Sequence, residues 1–125
     1  MIMGVGTDSV SCVRIARFGP ERLAGRILTP EERETIPAGG QRLIEWMAGR
    51  FAAKEAISKA AGSGIGATVG FRDITIHPDE RGKPIAHVSD AARRRLGWLG
   101  DVQIHLSITH TEDHALAFAV MEQRG

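Results

Sequence analysis

Arg50-Phe51-Ala52-Ala53-Lys54-Glu55-Ala56-Ile57-Ser58-Lys59-Ala60 is the stretch on which the reading of this chain turns. Its alanines favour helix and permit close packing. With Leu43, Met47, Phe51 and Ile57 as an apolar stripe and Ile44 beside it, the spacing predicts one long helix over 41–61. On that helix Glu55 and Lys59 stand four residues apart and share a face. A carboxylate can hold a magnesium ion, and an ammonium one turn away can hold the phosphates that such an ion bridges. Taken alone, the pair reads more simply as ion-pair decoration of a solvated helix. Its meaning depends on what the rest of the chain sets beside it.

Upstream, 2–7 reads as a strand ending in a carboxylate, Asp8, with Gly4 and Gly6 letting another backbone or a ligand come close. Ser11 caps a helix through Arg14, Ile15 and Phe18 that Gly19-Pro20 breaks, and a second short helix is expected over 21–28. Thr29-Pro30-Glu31-Glu32 is a helix start with a capping box, expected to end by Pro37. Downstream, glycines 62, 64 and 66 make a loop, 71–77 and 85–88 read as strands joined by a turn, and Ser89 caps a helix through Leu96 and Trp98. Val102, Ile104, Leu106 and Ile108 alternate with polar residues, the period of a half-buried strand. After the turn 111–113, a strand over 114–122 alternates Leu116, Phe118 and Val120 with Ala115, Ala117 and Ala119. Its alanine side is small enough for a helix or another subunit to pack closely. The expected fold is α+β, an antiparallel sheet packed against one long helix and several short ones, in a single domain over 1–125.

The 125 residues, 42% hydrophobic and 25% charged with a net charge of +1, describe an ordinary soluble domain and give no global pointer to nucleic acid. The basic residues are unevenly spread: Arg14, Arg17, Arg22 and Arg26 crowd the first quarter, where Glu21 is the only acid between Ser9 and Leu28, a surface suited to an acidic partner. Cys12 is the single cysteine, which excludes an internal disulfide and argues against a thiolate metal cage. No leader pattern or membrane-spanning run is expected, so the cytoplasm is the expected location and no membrane partner is expected.

Asp8 and Glu55 lie far apart in sequence, and only the fold can bring these hard oxygen ligands together. His110 and Thr111 open the last turn, where a ring nitrogen and a hydroxyl can meet a phosphate or ribose. No histidine pair has zinc spacing, and neither a dinucleotide fingerprint nor a Walker loop is present.

Three segments in order, Gly4-Val5-Gly6-Thr7-Asp8, then Arg50 to Ala56 continuing to Lys59, then Leu106-Ser107-Ile108-Thr109-His110-Thr111, resemble the short stand-alone holo-[acyl-carrier-protein] synthases of the phosphopantetheinyl transferase superfamily. The likeness extends over essentially the whole chain, including the Gly82-Lys83-Pro84 turn. It implies transfer of 4′-phosphopantetheine from coenzyme A to a serine of apo acyl carrier protein, with release of adenosine 3′,5′-bisphosphate, in fatty acid biosynthesis.

By the same resemblance Asp8 and Glu55 match the magnesium ligands, and Lys59 matches the lysine near the phosphates. His110 and Thr111 match the segment that meets the coenzyme A nucleotide, Arg50 helps with phosphate, and Gly82, Lys83 and Pro84 lie beside the adenine. Glu55 and Lys59 are then the catalytic pair, with the route of the proton left open between Glu55 directly and a metal-bound water on the way to it. Larger members of the superfamily carry a further acid where this chain has Val10, which fits the small subclass. That subclass implies a homotrimer with sites between neighbours, Asp8 and Glu55 from one chain and the His110 segment from the next. Arg14, Arg17, Phe18, Arg22 and Arg26 are the implied docking surface for the acidic carrier. A coenzyme A-binding module without transfer, a purely structural trimer, and another magnesium-dependent diphosphate enzyme are the competing readings.

Overall fold

The computed structural model describes residues 1–125. In chain order the elements are β1 (Ile2–Ser11), α1 (Cys12–Phe18), α2 (Pro20–Ile27), α3 (Pro30–Arg33), α4 (Gly40–Ala60), β2 (Ile74–Pro78), β3 (Pro84–Val88), α5 (Asp90–Leu96), β4 (Asp101–His110) and β5 (His114–Arg124). The strands form two antiparallel sheets, β1-β5-β4 and the hairpin β2-β3, making an α+β fold.

Alanine decides how the larger sheet and α4 meet. Ala115, Ala117 and Ala119 on β5 are wholly buried, as are Ala48, Ala52, Ala53 and Ala56 on α4, and the two elements pack directly together. The larger residues of β5 point the other way, leaving Leu116 and Phe118 each 46% exposed. So the alanine side serves the helix, not a second subunit, and the unpartnered apolar face is the opposite one.

Glycine does the same for β1. A Cβ on Gly6 would run into the Ala56 carbonyl, and one on Gly4 into the Ala60 carbonyl, so only glycine lets this strand lie on the helix backbone. β1 also runs on to Ser11, paired with His114, which places Asp8 inside the strand instead of at its end. α4 itself is buried on more than the expected stripe. Leu43, Met47 and Ile57 are core residues while Phe51 is half-buried, because α1 and α2 cover the helix side facing away from the sheet.

Caps set several boundaries. Ser11 accepts from the Arg14 N–H at the start of α1, and Thr29 and Glu32 form the reciprocal box at α3. That helix stops at Arg33, short of Pro37. Residues Phe71–Asp73, expected in a strand, form a 3-10 turn because the Asp73 carboxylate accepts from the Gly70 N–H at 2.9 Å and closes a capped loop.

Glu32 has a second task. Its Oε1 lies 2.6 Å from Lys54 Nζ, and both side chains are completely buried. Lys54 also donates to the Ile27 carbonyl at 2.6 Å and the Phe71 carbonyl at 3.1 Å, while Glu32 Oε2 accepts from the Ile76 N–H at 2.9 Å. One ion pair thus ties α2, α3, α4, the 3-10 turn and β2. It holds the α4 segment immediately before Glu55 in a fixed place.

Candidate active site

The close approach of β1 to α4 brings Asp8 beside Glu55 and Lys59. Lys59 Nζ donates to Asp8 Oδ1 and to the Thr7 carbonyl, each at 3.1 Å, from a half-exposed position. Burial pushes the Glu55 carboxyl up, the Asp8 charge adds to that, and Lys59 and Arg14 pull it back down. Two neighbouring carboxylates are a fitting donor set for a divalent cation, which relieves their repulsion. No third His, Cys, Asp or Glu joins them, which suits magnesium, an ion that keeps waters and takes phosphate oxygens.

A second set of predicted residues gathers elsewhere on the same chain. Arg50, Pro78, Gly82, Pro84, Ile108 and His110 line a cavity of about 170 Å³. Gly82 has φ +85°, a backbone that favours glycine at the hairpin tip. Arg50 stacks on Trp46 at 4.6 Å, and its Nε is buried with no hydrogen-bond partner. Burial presses the Arg50 guanidinium's pKa down while the Glu32 charge pulls it up. An under-satisfied buried guanidinium beside a cavity fits an anionic ligand group. His110 Nδ1 sits 3.0 Å from Glu45 Oε1.

Not every predicted residue joins this cavity. Lys83 lines an adjoining polar groove of about 420 Å³ with His87, Arg93, His105 and Arg124, and that groove shares Pro84 with the cavity. The Thr111 hydroxyl accepts from the Asp113 and His114 N–H groups at 3.2 Å, and so shapes the turn. The cavity at His110 and the cluster at Asp8, Glu55 and Lys59 share no lining residue within one chain.

A third, mostly apolar cavity of about 260 Å³ is lined by Arg14, Ile15, Phe18, Leu23, Arg26, Ile27, Phe51 and Phe71. Arg22 and Arg26 lie over the Phe18 ring at 4.7 and 5.3 Å. Arg14 lies over Phe51 at 5.9 Å and its charge reaches Glu55, so this cavity opens beside the carboxylate pair. Arg17 is exposed and outside it.

The profile of the 4′-phosphopantetheinyl transferase superfamily matches residues 4–119. The chain belongs to this superfamily. A holo-[acyl-carrier-protein] synthase of Neisseria meningitidis is 46% identical over 127 residues, covering 98% of this chain and all of that relative. One from Bacillus cereus is 44% identical over 125 residues, covering 98% and 97%. Among solved structures, the Bacillus anthracis holo-(acyl-carrier-protein) synthase in complex with CoA (3′,5′-ADP) superposes with TM-score 0.86 at 42% identity, covering 99% of both chains. The Helicobacter pylori synthase in complex with coenzyme A gives 0.78 at 30% identity, over 94% and 99%. Within the transferase fold, Glu45 and Lys54 are the contact-making residues that sequence reasoning passed over. Their partners lie 65 and 22 positions away, and no local spacing announces them.

Proposed function

We propose that the chain transfers 4′-phosphopantetheine from coenzyme A to a serine of an apo acyl carrier protein, releasing adenosine 3′,5′-bisphosphate. The observation that carries this is the meeting of Asp8, Glu55 and Lys59 on β1 and α4 of a phosphopantetheinyl transferase fold. Asp8 and Glu55 would hold magnesium, which when bound would supply charge neutralisation for the pyrophosphate. Lys59 takes up charge developing on the leaving phosphate. The carrier serine oxygen forms a bond to the β-phosphorus while the bridging P–O bond breaks and its electrons leave with the bisphosphate. The serine proton passes to Glu55, directly or through a water. Arg50 and His110 hold the nucleotide end of coenzyme A beside Gly82 and Pro84. Positioning and electrostatics suffice, with no protein nucleophile.

The active assembly is a trimer in which the Asp8 cluster of one chain faces the His110 cavity of the next. Supporting this are the separation of the two sets within one chain and the outward apolar face of the larger sheet. On that face Val5 is 58% exposed beside Leu116 and Phe118. The acidic carrier docks on the arginine-rimmed cavity, an apolar side chain entering among Ile15, Phe18 and Phe51 while its acids meet Arg14 and Arg26. Intact-mass spectrometry of an apo carrier incubated with the protein, coenzyme A and magnesium tests the transfer. The carrier gains one phosphopantetheine and loses that gain in EDTA; a folded carrier left unmodified refutes the assignment.

A further inference from the structure

We infer that Glu45 is a positioning residue for coenzyme A binding, acting through His110; this rests on the reading that His110 meets the nucleotide. Gln41 and Glu45 stand one turn apart on the same face at the start of α4, and both reach the β4–β5 turn. Gln41 Nε2 donates to the Glu112 carbonyl at 3.0 Å, and Glu45 Oε1 lies 3.0 Å from His110 Nδ1. Neither contact is needed to close the hairpin, which Thr111 already caps through its own hydroxyl and through its N–H to the His114 carbonyl at 2.8 Å. The strap therefore serves the placement of the turn's side chains.

Its chemical effect follows from the inventory of donors. A carboxylate only accepts, so the proton between the two groups belongs to Nδ1, and Nε2 is the ring nitrogen left free on a residue that lines the cavity with Arg50, Gly82 and Pro84. A histidine whose second nitrogen is tied to a carboxylate is fixed in ring orientation and tautomer. A phosphate then meets a ring already held from behind by Glu45, in one fixed orientation. Without Glu45 the half-exposed His110 ring swings freely, and its ordering must be met at each binding event.

The test is a cycle of Glu45→Ala, His110→Ala and the double variant, with coenzyme A affinity by calorimetry and steady-state KM for coenzyme A and for carrier. Glu45→Ala weakens coenzyme A about tenfold, the scale for removing the outer partner of a functional histidine, and leaves the carrier KM unchanged. In the His110→Ala background the same change costs nothing further, and Glu45→Gln, whose carbonyl still accepts from Nδ1, restores most of the affinity. Nitrogen-15 NMR of the His110 ring reports the Nδ1–H form in the parent and a mixed tautomer in Glu45→Ala. An equal loss in both backgrounds, or no loss at all, overturns the role of Glu45. The underlying nucleotide reading fails separately, by unchanged coenzyme A affinity in His110→Ala itself.

Discussion

Replacing Lys54 by methionine keeps the length of the side chain and removes its charge, leaving the Glu32 carboxylate buried without a cation. In the parent all three ammonium protons are used, on Glu32, Ile27 and Phe71, and Glu32 accepts in addition from the Thr29 and Ile76 N–H groups. Breaking one side of a buried pair costs about 3–5 kcal/mol, because the partner's desolvation is no longer compensated. At about 4 °C per kcal/mol for a domain of this length, the melting temperature falls by roughly 12–20 °C. Burial holds the Lys54 ammonium's pKa below its ordinary value even with Glu32 beside it, so desolvation outweighs attraction in this pair. It follows that removing both charges is the milder change. Lys54→Met with Glu32→Gln should be more stable than Lys54→Met alone, with a coupling of at least 1 kcal/mol. Guanidinium unfolding of the parent, Lys54→Met, Glu32→Gln and the double variant, followed by circular dichroism at one fixed protein concentration, gives the four values. Additive single effects, or a Lys54→Met variant within about 0.5 kcal/mol of the parent, would refute the reasoning.

Glu55→Gln should keep the fold, abolish the rise in melting temperature on adding magnesium, and cut transfer by roughly 10²–10³-fold; a retained magnesium response removes Glu55 from the metal site. Gly6→Ala should cost about 1–3 kcal/mol or more, since the rigid Ala56 carbonyl cannot yield, whereas Gly25→Ala, with open space around it, should gain roughly 0.5–1 kcal/mol in thermal denaturation. Arg14→Glu should raise the carrier KM by roughly fivefold, less at high salt, with coenzyme A unaffected. At Asp73 burial raises the carboxyl, but bonds from the Gly70 N–H, Ser89 and Arg95 outweigh it and hold it below the ordinary value. Its contribution to stability is present above the unfolded value of about 3.9 and is lost as pH falls through the folded one. Asp73→Asn should therefore be destabilised at pH 7 and converge on the parent in acid melts.

What could be read in advance was what local spacing encodes. The Thr29–Glu32 capping box, the Ser11 and Ser89 caps, the alternation of β4 and the alanine-rich α4 each follow from interactions within a few residues, and each stands in the structure. The shared face of Glu55 and Lys59 was legible for the same reason, whereas only the fold sets Asp8 beside them. What spacing does not encode is which side of an amphipathic element looks inward. On β5 the alternation marks an alanine side fit for a helix or for another subunit, and does not choose between them. Here the large residues face out, because a helix laid directly on a sheet needs small residues on both surfaces.

That inversion bears on function. Fitting α4 tightly to β1 through Gly4, Gly6 and the alanines is what sets Asp8 against Glu55 and Lys59, and the same choice drives the bulky residues of β5 to the outer surface. A chain that builds its carboxylate pair this way therefore also carries an uncovered apolar face, the one that the proposed trimer would cover. Substituting Phe118 by Asp separates the two consequences. It leaves the buried alanine seam and the Asp8 cluster untouched, so a monomer that still binds magnesium but has lost transfer would link assembly to the composite site. Full activity in a monomer shown by light scattering would break that link.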